Sequence, residues 1–228
     1  MKPIFKPDML EFMTNIRFNN NKSFFLEHKD EYEKKVKQPY YRLIEALTPT
    51  MLKIDSGMEV RPYRVLSRIY RDTRFTRDKS PLRDHHWIAF RHTGEPREKA
   101  VVFWFEIRLE SVNWGLGFWG ENKKAMELLR RRMIAKPDEI IGLLNQLDKD
   151  NFAVGGSINS RVEVPNGLPE ALHKFYRLKE VYATKRNIKP ESVFEPGFED
   201  VLAADFNALA PLYHLLRGCY VLSEQQIL

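Results

Sequence analysis

The sequence predicts one α+β domain over residues 1–228, with an antiparallel-dominated central sheet flanked by N-terminal and C-terminal helices. Three observations predict it. Apolar residues recur at helical spacing before about residue 57 and again from Phe198 onward. Between about residues 59 and 119 the pattern changes to β-branched and aromatic runs broken by turn residues. No Gly-, Ser- or Pro-rich linker and no internal repeat divides the chain.

Taken in order, Asp8 is positioned to cap a helix with Met9, Leu10, Phe12, Met13 and Ile16 on one face, and Asn19-Asn20-Asn21 ends it. A second helix is expected from about Lys22 to Lys37. Pro39 opens a third, carrying Tyr40, Leu43, Ile44 and Leu47, which Pro49 is expected to kink or restart. The stretch Glu59 to Tyr70 reads as a strand, and Asp72 to Asp84 as irregular. Trp87–Phe90 and Ala100–Leu109 read as strands, and Trp114–Trp119 as the hairpin partner of the latter. Gly115 and Gly117 inside an aromatic strand mark a close backbone approach, by packing or by a ligand. Helices follow over Asn122–Ala135 and from Pro137, then a turn at Gly155-Gly156. A short strand is expected at Arg161–Val164, a short helix at Leu168–Tyr176 and a strand at Glu180–Lys185. Two terminal helices divided at Pro211 complete the chain.

Composition narrows the function classes. Hydrophobic residues make up 43% of the 228, enough for a sizeable core, and 30% are charged. No run approaches the roughly 20 apolar residues of a membrane helix, and the N-terminal segment lacks the apolar core of a secretory signal. The single cysteine, Cys219, lies in an apolar stretch, excludes an internal disulfide or multi-cysteine zinc site, and reads as a buried inert thiol. These features together predict a cytoplasmic protein.

Charge is concentrated in one place. From Arg61 to Asp84 there are eight basic residues against three acids, an excess of five in a chain whose net charge is +6. Arginine offers five donors in a fixed planar fork and keeps its charge at any physiological pH. Arginines mixed with carboxylates can hold an irregular loop through Arg–Asp pairs, or leave a cationic pocket for phosphate or carboxylate. The basic residues are interrupted by acids and the rest of the chain is near neutral, which argues against a nucleic-acid surface.

The segment Arg68-Ile69-Tyr70-Arg71-Asp72-Thr73-Arg74-Phe75-Thr76-Arg77-Asp78-Lys79-Ser80-Pro81 resembles the signature of the domain-of-unknown-function 2461 family. Phe12, Asn19-Asn20, Phe24-Phe25, Tyr32 and Pro39 are similar to its N-terminal pattern. Trp114-Gly115-Leu116-Gly117 resembles its glycine-containing strand, and Arg130 or Arg131 the arginine of its following helix. Leu82 stands where an aromatic is usual. The resemblance implies a single α+β domain and carries no activity with it.

The expected site is the Arg68 to His85 segment against the glycine-bearing strand, taking a small anionic ligand. Arg68, Arg71 and Arg74 are expected as donors, Asp72 and Asp78 as orienting groups, Lys79 as a further charge, and Gly115 and Gly117 as points of close approach. If the protein is an enzyme, Asp78, Lys79 or His85 would move the proton. Adjacent His85 and His86 in a strand point to opposite faces, so no metal is expected. No phosphate-binding glycine loop or nucleophile elbow is present, and the sequence names no cofactor. The other readings are a non-catalytic interaction or scaffold protein with a structural salt-bridge loop and, third, a weak nucleic-acid binder.

Overall fold

The computed structural model describes residues 2–74, 76–118 and 120–225. Phe75 of the signature and Trp119, the expected end of the glycine-bearing strand, lie outside the described residues. The elements in order are α1 (Asp8–Phe18), α2 (Lys22–Glu27), α3 (Lys29–Tyr32), α4 (Gln38–Ile54), α5 (Pro62–Val65), β1 (His86–Phe90), β2 (Val101–Ile107) and β3 (Val112–Phe118). They continue with α6 (Lys123–Ala135), α7 (Pro137–Lys149), β4 (Ala153–Gly155), α8 (Glu170–Tyr176), β5 (Tyr182–Ile188) and α9 (Phe198–Gln225). The strands form an antiparallel sheet in the order β1-β2-β3-β5-β4, so the α+β class read from the sequence holds. The chain divides into two compact units. One comprises Met1–Phe90, Trp104–Trp114 and Arg186–Ala204, the other Arg91–Phe103, Gly115–Lys185 and Asp205–Leu228.

Several helix boundaries differ from expectation for identifiable reasons. Helix α1 is preceded by Pro7, and Asp8 lies within its first turn, where its charge suits the helix dipole, instead of capping it. Asn21 caps α2 by accepting the Phe24 N–H at 2.9 Å. The expected helix from Lys22 to Lys37 is broken at His28 and passes through a π-helical turn at Glu33–Lys37 before α4. Pro49 and Pro211 each lie inside a continuous helix. Both prolines are exposed, so the missing N–H falls on the solvent face, while buried neighbours on the opposite face hold the helix. In α4 those are Tyr40, Leu43, Ile44, Leu47 and Met51, all fully buried. Thr48 does not cap a new helix; its hydroxyl donates to the Ile44 carbonyl at 2.8 Å.

The expected strand from Glu59 to Tyr70 is instead the single turn α5 followed by extended chain. Arg61 is extended before Pro62, and Pro62 supplies the first helical position. The pairing that remains is two isolated bridges, Leu66 with Ile88 and Tyr70 with Leu82. Arg161–Val164 is not a strand; β4 arises earlier, where Ala153, Val154 and Gly155 pair with Thr184, Ala183 and Tyr182.

In the first unit an aromatic core joins Phe5 to Tyr40 at 5.1 Å and Phe105 and Trp114 to Phe198 at 5.6 and 5.9 Å. In the second, Phe103 packs on Phe206 and Tyr213 at 5.3 and 5.2 Å. Cys219 is buried, and burial pushes its thiol up to about 11, as an inert core cysteine requires.

Gly115 and Gly117 have a steric explanation in the second unit. A Cβ on Gly115 would sit 2.2 Å from the Ala183 carbonyl oxygen. One on Gly117 would sit 2.5 Å from the Val181 carbonyl oxygen and 2.7 Å from the Tyr182 Cα. Backbone cannot yield as a flexible side-chain tip can. Gly117→Ala should therefore destabilise the protein by about 2–4 kcal/mol in urea unfolding. Gly142→Ala within α7, where nothing lies within 4 Å, should stabilise it by about 0.5–1 kcal/mol.

His86 is fully buried under Tyr32 and Tyr40, whose rings lie 5.6 and 6.0 Å away. The Ser67 hydroxyl accepts the Trp87 N–H at 3.1 Å and lies 3.1 Å from His86 Nδ1. Ser67 is thus the polar partner of a ring otherwise enclosed by aromatics. Desolvation, with His85 and Arg83 adding to it, pushes the imidazole down to about 3 from 6.5. The unfolded chain binds a proton in that window that the folded chain excludes, so stability falls as pH drops below about 6.5. Urea unfolding should show a loss of about 2 kcal/mol from pH 7 to pH 5, and most of that slope should vanish in His86→Gln.

Candidate functional site: the arginine-rich loop

The signature segment is a loop closed at its base by backbone hydrogen bonds. The Arg71 N–H donates to Pro81 O at 2.9 Å, and the Arg83 N–H donates to Ile69 O at 2.8 Å. Leu82, buried between them, offers its N–H to Asn20 Oδ1 at 2.8 Å and accepts from Asn20 Nδ2 at 3.0 Å. One asparagine side chain from the α1–α2 connection thus satisfies both polar groups of a buried residue. In the sequence Asn19-Asn20-Asn21 reads as a helix stop and Asn19-Asn20 as part of the family pattern, and neither reading assigns Asn20 this contact. A side chain acting across more than sixty positions leaves no local spacing signal.

Above this base two aspartates shape the chain. Asp72 Oδ1 accepts the Arg74 N–H at 3.2 Å and its carboxylate takes the Arg74 guanidinium at 2.7 and 3.0 Å. Asp78 Oδ1 accepts the Ser80 N–H at 2.9 Å, and Oδ2 takes Arg71 in a short ion pair. Both are Asx turns, in which the side chain stands in for a backbone acceptor. The Arg74 side chain and N–H hold Asp72 down at about 2. Ser80, followed by Arg71, holds Asp78 lower still. Both carboxylates therefore stay ionised at neutral pH, which makes Asp78 a weak base for proton transfer and a firm anchor for an arginine.

The loop's remaining cations are differently placed. Lys79 Nζ donates to the Thr73 carbonyl at 2.8 Å, across the loop. Arg68, Arg77 and Lys79 are exposed and make no ion pair among the described residues. Arg71 is the more sheltered of the paired arginines, with 24% of its side chain exposed against 76% for Arg74.

His85, just beyond the loop, meets carboxylates instead of arginines. Its Nδ1 lies 2.9 Å from Asp84 Oδ1, and its Nε2 lies 3.9 Å from Glu106 Oε1, beyond hydrogen-bond range. Its ring stacks on Trp87 at 5.8 Å, while the Arg83 guanidinium sits 4.6 Å from the same indole. Arg17 of α1 ties this edge together, donating to Asp84 at 2.6 Å and to Glu110 through a shorter contact. Arg108 holds Glu106 in a bidentate pair at 2.8 Å for each bond. Burial pushes the Asp84 carboxyl up, but His85 and Arg17 outweigh it and leave it below its usual value. Arg17, Glu106 and Glu110 were missed by sequence reasoning because each is an ordinary surface charge until the fold assembles them.

The structure thus gathers Arg71, Asp72, Arg74, Asp78 and Lys79 in one exposed loop, with Arg68 beside its base and His85 beyond it. Gly115 and Gly117 lie against β5 in the second unit. No group of His, Cys, Asp and Glu suited to a metal ion is present among the described residues, and none of their helices is long and apolar enough to cross a membrane. No curated protein matches the chain. A family model described as a conserved hypothetical protein matches residues 8–215, from the start of α1 into α9, and so includes the loop and the glycine-bearing strand. The chain belongs to the DUF2461 family of conserved hypothetical proteins.

Proposed function

We propose that this protein binds a small anionic ligand, bearing phosphate or carboxylate, at the exposed loop between Arg68 and Pro81. The observation that supports the reading is the imbalance of charge within a loop of fixed shape. Asp72 and Asp78 engage Arg74 and Arg71, while Arg68, Arg77 and Lys79 have no carboxylate partner among the described residues. In this reading the donors are Arg68, Arg77 and Lys79, with Arg71 contributing the guanidinium edge that Asp78 leaves open. Arg74 and Asp72 set the turn. The intracellular, cytoplasmic setting expected from the composition suits a phosphorylated or carboxylated metabolite as the ligand. His85 held by Asp84 is the group best placed for proton transfer if the bound ligand is also turned over.

A non-catalytic scaffold, with the loop as a structural network, is the second reading, favoured by the Arg71–Asp78 and Arg74–Asp72 pairs. Exposed ion pairs, however, contribute little to stability, and the backbone pairing and Asn20 already close the loop. Thermal unfolding against phosphate, sulfate, citrate and sugar phosphates separates the two. A ligand that binds the folded state raises the melting temperature. The expected result is a selective rise with one anion class, lost in Arg68→Gln/Arg77→Gln, while Asp72→Asn without ligand leaves the melting temperature nearly unchanged. A flat response to every anion, with marked destabilisation by Asp72→Asn or Asp78→Asn, would leave the structural network standing in its place.

A further inference from the structure

The second unit contains a cleft of about 760 Å³ between α6 and the segment from Ile158 to Arg161. That volume falls in the range of about 300–1,000 Å³ typical of small-molecule sites. Its lining is cationic. Lys123, Arg130, Arg161 and Lys179 face it, against Glu121 and Glu127. Glu127 is held at 2.7 Å by Arg131, which does not line the cleft, while Glu121 lies 3.8 Å from Lys179 and partly offsets that cation. Lys123 and Arg161 make no ion pair among the described residues. Arg130 donates to the carbonyls of Tyr176 and Leu178 at 2.9 and 2.8 Å, which fix its position without cancelling its charge.

The backbone of one wall is held in place. The Asn159 N–H donates to Arg177 O at 2.7 Å and the Lys179 N–H to Ser157 O at 2.8 Å, with Ile158 and Leu178 bridged between them. Asn159 Oδ1 then accepts the Arg161 N–H at 3.2 Å, an Asx turn that sets the direction of the chain at Arg161. Ile158, 49% exposed, adds an apolar surface to the same cleft.

We propose that this cleft is a second ligand site, distinct from the arginine-rich loop, which takes a small phosphate ester of about mononucleotide size. Cations arriving from two walls suit the several oxygens and double charge of a phosphate better than a single planar carboxylate. The body of the ligand would lie along Ile158. The inference does not depend on the loop's binding anything.

The test is isothermal titration of the full chain with AMP, ribose 5-phosphate and unphosphorylated adenosine. AMP and ribose 5-phosphate should bind and adenosine should not. Lys123→Gln/Arg161→Gln should weaken AMP binding by about tenfold or more, since it removes two charge-assisted contacts. Lys123→Arg/Arg161→Lys should keep most of it, and Arg68→Gln/Arg77→Gln should leave it unchanged. Both substituted positions are exposed, and an unaltered melting temperature confirms that the variants are folded. The proposal is overturned if neither phosphate ester binds at millimolar concentration, or if adenosine binds as well as AMP. It is equally overturned if only the Arg68→Gln/Arg77→Gln variant loses binding, which places the phosphate on the loop, or if a single-stranded RNA binds far more tightly than AMP.

Discussion

The arrangement of the candidate site depends on one neutral contact, the double hydrogen bond between the Asn20 side chain and the backbone of Leu82. Leu82 is 1% exposed, so its N–H and C=O have left water and each would cost about 1–3 kcal/mol if unpaired. Asn20 satisfies both at once, and the bonds on either side, Arg71 to Pro81 and Arg83 to Ile69, complete a closed base. Because these bonds are uncharged, the base holds its shape whatever the charge state of the loop above it. The exposed ion pairs above it shape the turns and contribute little to the stability of the fold.

A second consequence concerns where each charge finds its partner. Asp72 with Arg74 and Asp78 with Arg71 are pairs between near neighbours in sequence. Arg17 with Asp84 and Glu110 is assembled from α1, the end of the loop and the β2–β3 turn. Local pairs shape a turn and can form early and reform after perturbation. The long-range set exists only when the surrounding elements are in place, so it reports on the fold of the first unit more than on the loop.

This difference also explains what the sequence could and could not reveal. The sheet, the amphipathic faces of α4 and α6, and the choice of Asp72 and Asp78 as arginine partners rest on periodicity or on near neighbours, and both can be read locally. Pro211 misled, and Pro49 starts no new helix, because a proline on a solvent face costs a helix less than its buried opposite face returns. Glu59 to Tyr70 misled because β-branched residues mark half-buried surface as much as strand, and Arg61-Pro62 starts a helical turn there. Glu106 and Glu110 gave no local signal at all, and Asn20, although part of the family pattern, gave none of its contact with Leu82. The glycines did signal a close approach; what approaches is β5 and the residue before it, through the carbonyls of Ala183 and Val181.

His85 and His86 show how one step along a strand separates two chemistries. His86 turns inward, loses water on every side, and is left neutral with Ser67 as its partner. His85 turns outward onto Trp87, beside Asp84. A carboxylate on Nδ1 fixes the ring's orientation and leaves Nε2 on its other side. That nitrogen is 3.9 Å from Glu106, which is itself held by Arg108. The outward histidine is thus oriented without being consumed by its neighbours, whereas the inward one is committed to the core. Of the two, only His85 retains a nitrogen that a ligand can use.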